Sequence, residues 1–547
     1  MLRAAVLAIL IFVVPGAPSG QAQSVLRVRV VLADADGKPM PVPRHALLLS
    51  DNPPSAAPRL LRTGPDGTVD VRLPPGSYTV ESDIPVRLQR NAYTWTQTVT
   101  IVAGRDTALD LTMENADVEP VSAAASDVRP DADPWLLLPR WRDSIVSVWT
   151  PTTHASGFLI HASGLILTNQ RVIGTATSIE VQLTRSLKVA ARVLAADRTR
   201  DAAVLWVDPM VIGSVPVVPL PCAQPAKPTV ADGDETFTLG VSLRLVKDME
   251  SGTVTRVGLH DILWDARLPT GSAGGPVFNA AGDLVGITSV MDDETRRERG
   301  ESRVVPIQNA CDVVASATEK MKTADPPAGA HLPVVPERPF PIDALRTAAG
   351  RGAGALSPHQ ITSSDFDVAF ITPVMTYAAM NQSGGDGERT TRASLEAQQL
   401  VRPQRDFSNW SDYVADFPPV LMIRVTPKLV EGFWTKVARG AARTQGISIP
   451  PIKSFRSRFG RLRAFCGDVE VTPIHPFKLE LRTSASETLY EGLYMFDPGA
   501  LGPQCASVKL LLYTETESDK PDTRVVDPKI VEQLWQAFEP YRAQSSR

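Results

Sequence analysis

Cysteine is scarce in this chain, with four among 547 residues: Cys222, Cys311, Cys466 and Cys505. None lies in a Cys-x-x-Cys pair or beside a histidine cluster, so no metal-ligand spacing is present and no cofactor is expected. Long apolar runs are missing after the first 22 residues. No later stretch approaches the roughly 18 apolar residues that a spanning helix needs, so no transmembrane segment is expected. An excess of one charge is missing too. Lysine and arginine number 56 against 60 acidic residues, a formal net charge of −4, and no long basic run occurs. Nucleic acid is therefore excluded as a partner class.

The apolar content of 43% is that of an ordinary globular protein, and the length suits about three or four domains. The first 22 residues differ from the rest. Met1-Leu2-Arg3 is a positive start, Ala4 to Val14 is almost continuously apolar, and Gly20-Gln21-Ala22 offers small residues for cleavage. This is the pattern of a secretory signal peptide, which predicts a secreted or periplasmic mature chain. Cysteines are at home in that compartment as disulfides.

Residues 24–113 read as short alternating strands between turns. Leu26-Arg-Val-Arg-Val30 leads into the turn Asp34-Ala-Asp-Gly37-Lys-Pro39, and Thr63-Gly-Pro-Asp66-Gly67 and Leu73-Pro-Pro-Gly76-Ser-Tyr78 follow. The pattern resembles the carboxypeptidase regulatory-like, or transthyretin-like, β-sandwich, with Val69 where that family has phenylalanine. The resemblance implies a small accessory that binds or spaces and carries no chemistry. Asp34 and Asp36 are read as turn formers and not as calcium ligands. Residues 114–134 have the proline- and alanine-rich polar composition of a linker.

The middle of the chain is organised around Pro269–Asn279, PTGSAGGPVFN. Upstream lie Ser156-Gly-Phe-Leu-Ile160 and Leu165-Ile-Leu-Thr-Asn169-Gln-Arg171-Val-Ile173, then Asp201-Ala-Ala-Val-Leu205 and Asp265-Ala266. Downstream are Gly282-Asp-Leu-Val-Gly286-Ile287 and Val304-Val-Pro-Ile307. In order and spacing these segments resemble HtrA-like, trypsin-fold serine proteases over residues 135–320, which implies a double β-barrel. The resemblance places Arg171, Asp201 and Ala273 at the three triad positions, and Gly271 and Ala273 on the oxyanion-hole loop. Only Asp201 keeps the residue type. Alanine has no attacking atom, and a guanidinium stays protonated and has no acceptor atom. The triad is degenerate, and a pseudoprotease is expected. Ser272 is the candidate substitute nucleophile. His154 and His161 are read as exposed turn residues, and neither Lys188 nor Lys247 is placed for a serine–lysine dyad. Arg171 and Asp201 are expected to form a charge-assisted pair where a His–Asp pair would stand.

Residues 321–341 have linker composition again. The PDZ pattern that usually follows in HtrA-like chains is absent, and residues 342–547 read as an α/β domain of no recognised family. Strands are expected at Phe366–Thr372 and Val420–Val425, with a flexible insertion at 382–391. Thr426-Pro427 reads as the start of a helix burying Leu429, Val430, Phe433 and Val437, and Asp527-Pro528 as the start of a last helix. Two cysteines fall in the middle region and two in the last. Of three pairings, Cys222–Cys311 and Cys466–Cys505 are expected, with free buried thiols as the alternative.

The fold class expected is thus multidomain and mainly β: a β-sandwich, a trypsin-like double barrel and an α/β region. Three functions compete. The first is an exported pseudoprotease that binds a peptide or protein partner in the former cleft. The second is a serine endopeptidase with displaced catalytic residues. The third is a structural envelope protein built of interaction modules.

Overall fold

The computed structural model describes residues 24–34, 36–121, 133–222, 230–258, 260–266, 268, 271–289, 301–351, 359–382, 407, 410–431, 453–484 and 487–545. The leader at 1–22 and most of the expected insertion at 382–391 lie outside them. The chain divides into two compact units, Met1–Arg140 and Trp141–Arg547.

The first unit is built on the strand Ser24–Ala33, where alternation does the work. Leu26, Val28, Val30 and Leu32 point inward and are at most 1% exposed. Between them Arg27 pairs with Asp70 at 2.7 Å and Arg29 with Asp110 at 2.9 Å, each reaching a neighbouring strand. A second sheet orders Arg59–Arg62, Ala46–Asp51, Gly76–Ser82 and Thr96–Ile101. Its apolar residues and those of the first sheet share one core with Trp95, whose indole N–H donates to Thr112 O at 2.8 Å. Asp34 accepts from the N–H groups of Asp36 and Lys38, a turn-forming role. Asp117–Pro120, in the stretch read as linker, is a strand pairing with Asn91–Thr94. Composition missed it because its four residues are all exposed and carry no inward stripe.

The second unit opens with two closed barrels. The first joins Ile145–Trp149, His154–His161, Leu165–Thr168, Ala202–Trp206, Leu187–Asp197 and Ile179–Thr184. The second joins Glu235–Val241, Lys247–Val257, Ile262–Trp264, Ser302–Pro306, Leu284–Ser289 and Pro276–Asn279. Strands such as Ile145–Trp149 and Ala202–Trp206 are buried at every position, which is why they read as continuous apolar runs. The helix Ile307–Met321 follows, tied back by the disulfide Cys222–Cys311 with Cα atoms 5.5 Å apart. Part of the stretch read as a second linker runs along the first barrel, since Leu332 N donates to Lys188 O at 2.8 Å.

Beyond it, a five-stranded sheet orders Gln360–Thr362, Phe366–Ile371, Leu421–Pro427, Glu487–Phe496 and His475–Ser484. A four-stranded sheet contains Phe459–Cys466 and Val508–Thr514, and Cys466–Cys505 joins its first strand to the approach of the second. The expected helix Pro528–Ala537 is capped by Asp527, which accepts from Lys529 N at 2.8 Å, and it buries Val531 and Leu534, but it is not the last, since Glu539–Ser545 is a further helix. The helix expected from Thr426-Pro427 is not there. Leu421–Pro427 is a central strand paired on both sides, and Leu429–Glu431 is another strand paired with Lys453–Phe455. The local N-cap signal loses to two ladders of hydrogen bonds around Ile423 and Val425, both 0% exposed. Phe433 and Val437 lie outside the described residues.

Candidate functional site

The site is assembled where both barrels meet one carbonyl. Thr288 O accepts from Asn169 Nδ2 at 2.9 Å and from Gly274 N at 2.8 Å. Asn169 is also the N-cap of the short helix Gln170–Ile173, accepting from Val172 N at 3.1 Å. One strand of the second barrel thus holds both the helix that carries Arg171 and the loop that carries Ala273.

Arg171 meets Asp201 twice. Its backbone N–H donates to Oδ1 at 3.1 Å, and its Nε lies 3.4 Å from Oδ2. Asp201 is 1% exposed and takes the left-handed backbone with φ 49°. Two partners were not anticipated from the sequence: Ser289 Oγ donates to Oδ2 at 2.5 Å and Arg303 Nη1 at 3.1 Å. Ser289 and Arg303 face each other in register on adjacent strands. The signal for Arg303 was its place at the head of Val304-Val305-Pro306, but no local pattern says that this strand edge reaches Asp201. Among the described residues, the buried Asp201 carboxylate bonds two guanidiniums and a hydroxyl and no imidazole.

The loop keeps its shape. Gly271 and Gly274 have φ of 95° and 86°, which only glycine adopts without strain. Ser156 fastens the loop, donating from N to Ala273 O at 2.8 Å and from Oγ to Gly271 O at 2.7 Å. Thr288 Oγ1 donates to Ser272 O at 2.5 Å. Ala273 offers a methyl group, partly buried against the first-barrel cluster that includes Val172. Ser272 is 7% exposed, and a Cβ added to Gly240 would stand 2.5 Å from its Oγ. Its hydroxyl therefore points into the second barrel beside the strand Glu235–Val241.

His154 corrects the sequence reading. It is 3% exposed, begins a barrel strand, and meets Ser147 Oγ through Nε2 at 3.2 Å. Its ring tilts on Trp149 at 4.3 Å, and a Cβ on Gly271 would lie 3.0 Å from Nδ1. Burial pushes its pKa down to about 3. It is buried because the C-terminal part covers this side of the barrel. His475 stacks on Trp149 at 4.1 Å, and Lys478 N donates to Pro151 O at 2.6 Å. His161 is exposed as expected but ends the strand His154–His161 and does not lie in the turn; its Nδ1 meets Ser163 Oγ at 2.7 Å. Lys188 is fully buried and spends its ammonium on Glu180 at 2.7 Å and on Ile474 O. Lys247 donates to Leu183 O at 3.3 Å, and burial lowers its pKa to about 8.

Residues 155–287 match the family described as "Trypsin-like peptidase domain". A Synechocystis protein named as the serine protease HhoB is 28% identical over 204 residues, covering 36% of this chain and 48% of that protein. A protein of Pseudomonas fluorescens named as a DegP-like periplasmic serine endoprotease is 32% identical over 166 residues, covering 29% of this chain and 33% of its own. HhoA of the same Synechocystis strain, also named as a serine protease, is 33% identical over 165 residues and covered to 40%. The chain thus spans less than half the length of each of these relatives. The double barrel, the matched residues and the relatives agree: within its second unit, residues 155–287 match the trypsin-like peptidase domain, and the chain there is similar to DegP-like serine endoproteases.

Proposed function

We propose that this protein is an exported trypsin-fold pseudoprotease that binds a peptide or protein partner in the cleft where its relatives would hold substrate. The observation that carries the reading is the pairing of Arg171 with Asp201 beside a loop whose central residue is Ala273. Acyl transfer requires a nucleophile and a base that accepts its proton. Neither alanine nor a permanently charged guanidinium supplies them. An oxyanion loop and binding alone accelerate such reactions about 10³–10⁴-fold over water, too little to cleave peptide bonds on a useful timescale. Export is supported by the pattern of residues 1–22, by two disulfides and by the periplasmic naming of DegP-like relatives. The first unit is assigned to the carboxypeptidase regulatory-like class, as an accessory that binds or spaces.

One observation favours the reading of displaced catalytic residues. Ser147 and His154 place a hydroxyl against an imidazole at 3.2 Å. Both are buried, Ser147 completely, so a scissile carbonyl has no approach, and among the described residues no carboxylate bonds His154. Fluorophosphonate labelling of the mature protein decides between the two. No label is expected, and a label lost in Ser147→Ala or Ser272→Ala would overturn the pseudoprotease reading. The double variant Arg171→His with Ala273→Ser should gain labelling, since the glycine loop is already formed.

A further inference from the structure

The first unit holds a cavity of about 410 Å³, within the range of about 300–1,000 Å³ usual for small-molecule sites. Three segments line it, around Pro43, Pro85 and Trp135, together with Arg62 from the edge strand Arg59–Arg62. Its floor is apolar, since Val42, Val86 and Leu136 are at most 4% exposed and belong to the core of this unit. Ile84 lines it too, and at 59% exposed it is an apolar side chain left facing water. His45 adds no charge. Its Nε2 meets Ser82 Oγ at 3.1 Å, and burial lowers its pKa to about 4, so the ring is neutral near pH 7.

Two charged groups on this cavity have bonding capacity to spare. Asp133 donates from its backbone N–H to Arg87 O at 3.0 Å and accepts from Arg87 N through Oδ2 at 2.8 Å, which fixes the carboxylate in place. It stands at the N-cap of the short turn Pro134–Leu136, yet its side chain makes no cap bond. Among the described residues its Oδ1 therefore has no partner. Burial pushes the carboxyl pKa up, against the pull of the Arg87 N–H, as expected of a charge not fully compensated. The second group is Arg62, which is exposed and, among the described residues, makes no ion pair or side-chain hydrogen bond. Arg44 is engaged elsewhere: it takes the left-handed backbone at φ 56° and lays its guanidinium over the Trp135 ring, 4.5 Å from the centre. Those two side chains form a wall of the cavity and are not the groups that hold a ligand.

We propose that this cavity binds a dipeptide-sized zwitterion with an apolar body, its ammonium held by Asp133, its carboxylate by Arg62 and its body on Val42, Val86 and Leu136. A carboxylate oxygen with free lone pairs takes an N⁺–H donor, and a guanidinium without a partner takes a carboxylate through two parallel bonds. A ligand with a single charge satisfies one of the two groups and leaves the other as it was. A ligand without an apolar body gains nothing from the floor. The site lies in the first unit, goes beyond the reading of the cleft and does not depend on it. No bond is made or broken.

The test is calorimetric titration of the full mature chain with L-leucyl-L-leucine, which should bind saturably. N-acetyl-L-leucyl-L-leucine and L-leucyl-L-leucinamide each lack one of the two charges, and each should bind at least fivefold more weakly. Arg62→Gln should weaken the dipeptide about as much as amidation does and leave binding of the amide unchanged, while Arg62→Lys restores part of the loss. Asp133→Asn should act in the same way with respect to the acetylated form. Arg62 is exposed and the asparagine still offers an oxygen to Arg87 N, so both variants should fold, which thermal scans check. No binding of the dipeptide by the folded chain, equal binding of all three compounds, or binding indifferent to either substitution would overturn the proposal. Neither substitution lies in the second unit, so such a result leaves the cleft reading standing.

Discussion

Arg303 and Arg171 approach the same carboxylate from different sides, the first with Nη1 at 3.1 Å and the second with Nε at 3.4 Å from Oδ2 of Asp201. They come from opposite barrels, so Asp201 is a rivet between them. Removing the charge of a buried pair costs about 3–5 kcal/mol because the partners stay behind unpaired. Asp201→Asn should therefore lower the melting temperature of the second unit by several degrees. A thermal scan in which the variant melts with the parent would show that the three residues do not act as a rivet.

The glycines of the loop differ in what surrounds them, which separates two costs. Gly174 has φ 51° and ψ −122° with open space around it, so Gly174→Ala bears only the backbone cost of about 1–3 kcal/mol. At Gly274 a methyl group would collide with Ser156 O and Thr168 Oγ1. Gly274→Ala should cost clearly more than Gly174→Ala in urea unfolding. Equal losses would mean that the loop yields, and that it does not hold its donors in place.

Acid should weaken the covered side of the first barrel. Burial lowers the pKa of His154 to about 3 and that of His475 well below 6.5, with Lys188 and His154 adding to the effect on His475. Both folded values lie under the unfolded value of 6.5, so their stability contribution is complete above 6.5 and is lost as pH falls below it. Each ring then forfeits about 1.4 kcal/mol per pH unit, or about 3 kcal/mol for the pair at pH 5.5. Glu180 and Lys188 are the charged groups packed beside them. Denaturant midpoints between pH 7.5 and 5.0 should fall steeply in the parent and less in the double variant His154→Gln with His475→Gln. Parallel slopes would remove these histidines as the cause. His45, buried in the first unit with a pKa of about 4, adds a separate acid-sensitive step there.

The two disulfides close loops of different length, with sequence separations of 89 and 39. Chain entropy alone assigns each about 4 kcal/mol, slightly more to Cys222–Cys311. The pair of alanine variants Cys222→Ala with Cys311→Ala should lose at least as much stability as Cys466→Ala with Cys505→Ala. A larger loss from the second pair, measured by urea unfolding, would show that enthalpy at the C-terminal sheet dominates over loop length.

The double barrel was legible in the sequence because its strands are short apolar runs between glycine turns, a signal carried by neighbours. So was Ala273, the residue type on which the proposed loss of the attacking atom rests. The conversion of Thr426-Pro427 from a helix start into strand was not legible, because partners as distant in sequence as Phe366 on one side and, for the same strand, Gly492 on the other decided it.

What the chain settled by itself is chemical identity: position 171 carries a guanidinium and position 273 a methyl group, whatever the fold around them. Tertiary structure decided the surroundings. It brought Ser289 and Arg303 to Asp201, turned Ser272 inward and sealed His154 under a segment more than 300 residues away. Burial and charge pairing are properties of distant segments meeting, and no local pattern encodes which segments meet.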